Sequence, residues 1–238
     1  MQIMKYLTKQ KMMRTVLWSL LPIYLFSIYL FGWRVLLVLA VSLVSAFAGE
    51  LFIMRMISGD KAKVSEAALV TAALLTLTLP PTVPLWIVVV ATLFGIIFGK
   101  AIFGGFGKNV FNPALVGRAF VYVSFPNEMT MLWQKPFTGF PGGFLRWSGA
   151  VDMATSVTPM IDRTANGIIT SPVNLFIGNI SGSMGETSAA LILLAGAYLI
   201  YTKTASWKIM ASVAGSGLVF TLLFQMLGAS EVDPLFAL

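Results

Sequence analysis

The 238-residue chain contains no cysteine and no histidine, and only 11% of its residues are charged. Without thiols it forms no disulfide and holds no thiolate-bound iron–sulfur cluster. Without imidazole it cannot ligate haem through histidine or use histidine as an acid or base. Any redox centre it carries must therefore be organic. The shortage of charge is equally restrictive, because a soluble domain has about 25% charged residues, whereas here 58% of residues are hydrophobic and the mean hydropathy is +0.87. A soluble globule, a disordered chain and a fibre are excluded. Repeated uncharged runs approaching the roughly 20 residues that cross a bilayer predict an all-α polytopic membrane protein.

The first run, Thr15 to Trp33, follows Lys5, Lys9, Lys11 and Arg14. It is too long for the apolar region of a signal peptide, and no small-residue cleavage site follows it. A second run, Val35 to Met54, is interrupted only by Glu50. The stretch from Ala67 to Gly99 is uncharged, but Pro80, Pro81 and Pro84 divide it, which predicts two short or tilted helices joined by a proline turn. From Phe103 to Arg118, glycines, an Asn-Pro and charges interrupt an apolar segment. This reads as a broken helix marking a binding or permeation site, or as a loop leading into an ordinary helix.

Residues 126–182 are polar and rich in proline and glycine, the one long extramembrane segment. Two further apolar runs, Thr187 to Thr202 and Ile209 to Ser230, follow, and Pro234 to Leu238 reads as the opening of another helix. Three regions result: membrane helices in 1–125, the extramembrane segment 126–182, and membrane helices again in 183–238. The 16 basic residues exceed the 9 acidic ones, a surplus that in a membrane protein reports orientation rather than nucleic-acid binding. Placing Lys5, Lys9, Lys11, Arg14, Arg55, Lys61, Lys63, Lys100, Lys108, Lys203 and Lys208 on the cytoplasmic side predicts a cytoplasmic N-terminus and an extracytoplasmic 126–182.

Among short motifs, Gly104 to Lys108 has neither the spacing of a phosphate-binding loop nor that of a dinucleotide fingerprint. Its glycines read as sites of close packing or a tight turn. Asn112-Pro113-Ala114 resembles the half-helix tripeptide of aquaporins. Glu50 and Arg118 are ionisable groups near membrane depth, where charge is costly and functional by default. Glu50 is the ion-path candidate, although it also reads as an interfacial acid, and Arg118 also reads as a structural partner of a backbone carbonyl.

Two stretches carry a family resemblance: Gly104-Gly-Phe-Gly-Lys-Asn-Val-Phe-Asn-Pro-Ala-Leu-Val-Gly-Arg118 and Val151-Asp-Met-Ala-Thr-Ser-Val-Thr-Pro-Met160, supported by Leu79-Pro-Pro-Thr-Val-Pro-Leu-Trp86. Together they resemble the D subunit of the Rnf complex, an ion-translocating ferredoxin:NAD oxidoreductase. That subunit is similar to the B subunit of sodium-pumping NADH:quinone oxidoreductase. The resemblance implies FMN esterified through its phosphate to a threonine. Laid on the family's attachment pattern, Asp152 opens the motif, Thr155 and Ser156 fill its hydroxyl and small positions, and Thr158 is the acceptor, with Thr155 the second choice. Val157 and Met160 stand where the family usually has Ala and Leu.

The resemblance also implies a fold of inverted repeats with short and broken helices, like that of urea transporters. Members continue beyond the point reached by Leu238, so the second repeat is expected to be incomplete here. The implied role is an electron relay coupled to sodium or proton export in a prokaryotic inner membrane, within a redox-driven translocase. The chain itself would contribute no catalytic side chain and no metal site. Implied partners are a flavin-bearing G-type subunit, membrane A- and E-type subunits, peripheral C- and B-type subunits and a flavin transferase, and a second, non-covalent flavin stays open. The competing class is a channel or secondary transporter for a small solute, which shares the broken helices but has no use for the Thr158 motif.

Overall fold

The structure is a computed structural model that describes residues 7–8, 10–59, 62–131, 133–137, 139–148, 158–168 and 170–228. It is built almost wholly of helices. A two-residue strand β1 (Leu7–Thr8) precedes α1 (Lys11–Phe31) and α2 (Arg34–Ser58), and β2 (Val64–Ser65) leads into α3 (Glu66–Leu77). Strands β1 and β2 pair in parallel, Leu7 opposite Val64 and Thr8 opposite Ser65. Then come α4 (Leu85–Ile96), prolonged by a π-helical turn Ile97–Ala101, α5 (Pro113–Ser124), and the short α6 (Pro126–Thr130), α7 (Pro159–Asn166) and α8 (Pro172–Ile177). Helices α9 (Ala189–Tyr201) and α10 (Trp207–Met226) complete the described chain.

Length separates these helices into two kinds. Helices α1, α2 and α10 are long and apolar enough to cross a membrane. Helices α3 and α5 have 12 residues each, or about 18 Å at 1.5 Å per residue, well short of a ~30 Å hydrocarbon core. The expected proline turn is present: α3 ends at Leu77, α4 starts after Pro84, and the two pack on α2 as a hairpin. Arg34 holds that turn, donating from Nε to the carbonyl of Pro81 and from Nη2 to those of Thr82 and Val83, at 2.7–3.2 Å. The charge that begins α2 thus fastens the loop between α3 and α4.

The main apolar core runs from Leu20, Ile23 and Tyr24 of α1 through Val35 and Val38 of α2 to Leu75, Ile87 and Val88 of the hairpin. Small polar groups stitch it internally: Tyr24 Oη donates to the Ala73 carbonyl at 2.8 Å, and Ser42 Oγ lies 2.9 Å from Thr92 Oγ1. Glycines set the α4–α5 contact. A Cβ built at Gly95 would strike the carbonyl oxygen of Pro113 and lie 3.3 Å from the Gly117 Cα, and one at Gly99 would lie 2.8 Å from the Pro113 Cα. With no side chain in the way, the helices approach backbone to backbone, and the Phe94 and Phe120 rings stack beside the contact at 3.9 Å.

Gly95→Ala is therefore expected to destabilise the protein by about 1–3 kcal/mol through overpacking. Gly215→Ala in α10, where an added Cβ meets nothing within 4 Å, is expected to be neutral or slightly stabilising. Thermal unfolding in detergent measures both, and equal losses would refute the close-packing role.

Candidate functional site

Residues Asp152, Thr155 and Ser156 of the expected attachment motif lie outside the described residues. Thr158 is described. It is the N-cap of α7, with extended backbone (φ −71°, ψ 151°), and Pro159 follows at the first helical position. Proline is favoured there because its missing N–H is one that the helix could not pair anyway. An N-cap threonine normally turns its hydroxyl onto the second or third helical N–H, but the Thr158 side chain makes no capping bond. It lines a cavity of about 390 Å³ instead.

Distant parts of the chain build that cavity. Helix α5 contributes Arg118 and Tyr122, α3 contributes its C-cap Thr78, and Trp133 and Glu186 come from the segments before α7 and after α8. The Trp133 indole Nε1 is buried and has no hydrogen-bond partner among the described residues, an arrangement that costs about 1–3 kcal/mol unless something fills the space before it. Arg118 forks onto Glu186, Nη1 to Oε1 and Nη2 to Oε2, the second at 3.2 Å. Both side chains are partly exposed, 33% and 43%. The backbone-carbonyl partner expected for Arg118 in its structural reading gives way to a carboxylate 68 residues further along.

Local chemistry explains how these groups arrive. Asn112 accepts from the Ala114 N–H at 3.0 Å, and Pro113 follows at the first helical position. The Asn-Pro-Ala tripeptide is thus the start of α5, a cap that lets a helix begin within the fold. Glu186 comes from the chain between α8 and α9, where Met184 N–H donates to the Leu79 carbonyl and Gly185 N–H to that of Leu77. A Cβ at Gly185 would lie 2.5 Å from that of Leu77, so only glycine allows this approach. The hook that satisfies the end of α3 also delivers Glu186 to Arg118.

A second polar cluster lies in the α2–α3–α4 packing. Glu50 is 2% exposed and Lys100 is 1% exposed. Lys100 Nζ donates to Glu50 Oε2 at 2.8 Å and to Ser65 Oγ at 2.6 Å, while Ser65 donates its hydroxyl (2.9 Å) and its N–H (3.3 Å) to Glu50 Oε1. Charge counting grouped Lys100 with the loop and terminal lysines, and the structure corrects this: the π-helical turn carries it inward to meet Glu50. Glu50, the ion-path candidate, has both oxygens engaged, so any ion passing by way of Glu50 would first have to separate this pair. Glu66 takes a similar part nearer the surface, binding Arg14 at 2.6 Å and the Gln10 N–H at 2.5 Å.

Helices long enough to span a bilayer, set among shorter ones whose ends are capped within the fold, define a multi-pass α-helical membrane protein. Its family follows from comparison. The family model described as NQR2, RnfD, RnfE matches residues 2–238, and the chain belongs to that family. Among similar proteins, the B subunit of the Na(+)-translocating NADH-quinone reductase of Pseudomonas paraeruginosa is 39% identical over 176 residues, 74% of this chain and 42% of that protein. The proteins of the same name from Azotobacter vinelandii and Haemophilus influenzae are 38% and 37% identical, each again over 42% of its own length. The chain therefore spans under half the length of the curated relatives it matches.

The buried ion pair supports a thermodynamic test. Lys100→Met, which strands the Glu50 charge, is expected to cost about 3–5 kcal/mol. The Glu50→Gln, Lys100→Met double variant is expected to recover most of that. Thermal unfolding of the single and double variants in detergent measures the coupling, and additive losses would contradict the pair.

Proposed function

We propose that this chain is a D-type membrane subunit of an ion-translocating electron-transport complex, carrying FMN esterified through its phosphate to Thr158. The observation that carries this reading is Thr158, whose hydroxyl is unused as a helix cap and which lines a cavity. Family membership and the names of the relatives supply the class of complex, a redox-driven ion pump.

The residues present suit such a group. A cavity of about 390 Å³ falls within the ~300–1,000 Å³ typical of cofactor pockets. Its wall offers Tyr122 and Trp133 as flat aromatic surface, a buried Trp133 N–H that lacks a partner among the described residues, and the Arg118 guanidinium. FMN would supply the one- and two-electron chemistry that no side chain of a chain without cysteine or histidine can perform.

The chain's own residues bind and position. Thr158 would be the tether, and its place at the amino end of α7 would suit an ester phosphate, because the helix dipole favours negative charge there. Pro159 fixes the backbone that follows the tether. Trp133 would offer its indole N–H to an acceptor in the cavity, and the apolar side chains of Met160 and Ile161 in the same wall would limit the entry of water. Asp152 and its neighbours serve recognition by the flavin transferase. The complex then passes electrons between a soluble donor, ferredoxin or NADH, and its acceptor, and exports sodium or protons. The G-, A- and E-type membrane subunits and the C- and B-type peripheral subunits complete it in the prokaryotic inner membrane, with the flavin on the extracytoplasmic face.

Coexpression with a flavin transferase tests the tether. In-gel ultraviolet fluorescence of the denatured chain is expected in wild type and is expected to vanish in Thr158→Val, with an FMN-sized mass on the peptide 147–163 only in wild type. A dark wild-type band despite an active transferase would overturn the flavin reading and favour a channel or secondary transporter.

A further inference from the structure

We infer that Arg118 and Glu186 form an opposed pair that sets the reduction potential of the redox group in the Thr158 cavity, with Arg118 favouring the reduced form and Glu186 restraining it. This rests on the reading of Thr158 as the flavin tether. Both side chains stand in the wall of the cavity that Thr158 opens onto. They meet there in a forked ion pair.

The pair has three properties that suit the role. First, it is placed rigidly: Arg118 adjoins Gly117 on the face of α5 that meets α4 backbone to backbone, and Glu186 adjoins the hook clamped to the end of α3. Second, it is partly exposed rather than sealed, at 33% and 43%. Such a pair holds together weakly, in the range of about 0–1 kcal/mol, so Arg118 can turn part of its charge toward a new anion at little cost. Third, Arg118 spends two of its five N–H donors on Glu186, one from each terminal nitrogen. The other donors have no partner among the described residues.

The electrostatics then follow with a definite sign. Each electron that arrives from the upstream carrier of the complex adds one negative charge to the cavity, with no bond made or broken in the chain. A guanidinium in the wall stabilises that charge and a carboxylate in the same wall destabilises it. As long as the two are bound to each other, each mutes the other. The Trp133 N–H adds a fixed neutral donor on the same side of the balance as Arg118.

The test is a redox titration of the purified, assembled complex, followed by visible absorption, with this flavin's signal isolated as the difference from Thr158→Val. Arg118→Gln is expected to lower the ratio of reduced to oxidised flavin at a fixed potential about tenfold, which is ~59 mV for a one-electron couple. Glu186→Gln is expected to raise that ratio by a similar factor, and Arg118→Lys to fall between wild type and Arg118→Gln. Opposite signs from the two partners separate potential setting from a structural role, because disrupting a merely structural pair shifts both variants in the same direction. Shifts of the same sign, or no shift while peptide mass shows FMN still on Thr158, would overturn the inference alone. Absence of FMN from wild-type Thr158 would overturn it together with the reading on which it rests. If Arg118→Gln fails to assemble, Glu186→Gln decides by itself, since only an upward shift agrees.

Discussion

A helix that stops before it has crossed the apolar layer leaves up to four N–H groups or four carbonyls without intrahelical partners, and lipid offers no substitute. Helices α3 and α5 are both of this kind, and the arrangement of the protein follows from how their ends are met. The hook at Met184 and Gly185 binds the last carbonyls of α3, Arg34 binds those of the proline turn, and Asn112 caps the start of α5. The same holds for the long α1, whose terminal carbonyls at Leu30 and Phe31 accept from the Phe137 N–H and the buried Gln134 amide. Described residues of the polar stretch after α6 are therefore bound to helix ends, and the hook adjoins Ser183 and Glu186 in the wall of the cavity beside Thr158.

This explains which parts of the molecule were legible in the chain and which were not. The spans of α1, α2, α9 and α10 are apolar runs, and the turn between α3 and α4 is announced by its prolines, so both can be read from local composition. Thr158 was singled out by its resemblance to a family motif, and the structure adds that it stands at the N-cap of α7 and lines a cavity. Arg118 was visible as a charge in an apolar segment, but its partner was not. Glu186 sits in a Gly-Glu-Thr with no motif around it, and only the fold of the hook, set by a glycine pressed against Leu77, brings it within reach. A signal was present all the same: the chain has only 9 acidic residues, so a lone carboxylate ahead of an apolar helix invites a search for its cation.

Lys100 shows the opposite error. Grouping it with the loop lysines is sound wherever a helix ends at its last apolar residue, but here the helix overruns into a π-turn. The wider turn rotates the lysine onto the face that meets Glu50. Charge alone could not signal this, since Lys61, Lys63 and Lys108 stand in equally glycine- or lysine-rich surroundings in the chain. A matched acid in α2 and a hydroxyl at the start of α3 together make burial tolerable, because a desolvated ion pair holds only when its remaining hydrogen-bonding capacity is also met. Ser65 meets it, and β1 pairs with the strand that carries Ser65.

The Glu50–Lys100 and Arg118–Glu186 pairs then differ in kind, and the difference bears on what each can do. Glu50 and Lys100 are sealed within the packing of three helices. Separating them requires either two stranded charges or a proton, so the pair behaves as a fastener and gives little response to a small change in its surroundings. Arg118 and Glu186 are half in contact with the cavity, held by elements that are themselves rigid, and nearly balanced against solvation. A pair poised in this way changes its internal energy little when one partner leans elsewhere. Sensitivity to any charge placed in the cavity that Thr158 lines would therefore belong to the weaker pair, while the stronger one is part of the fixed frame.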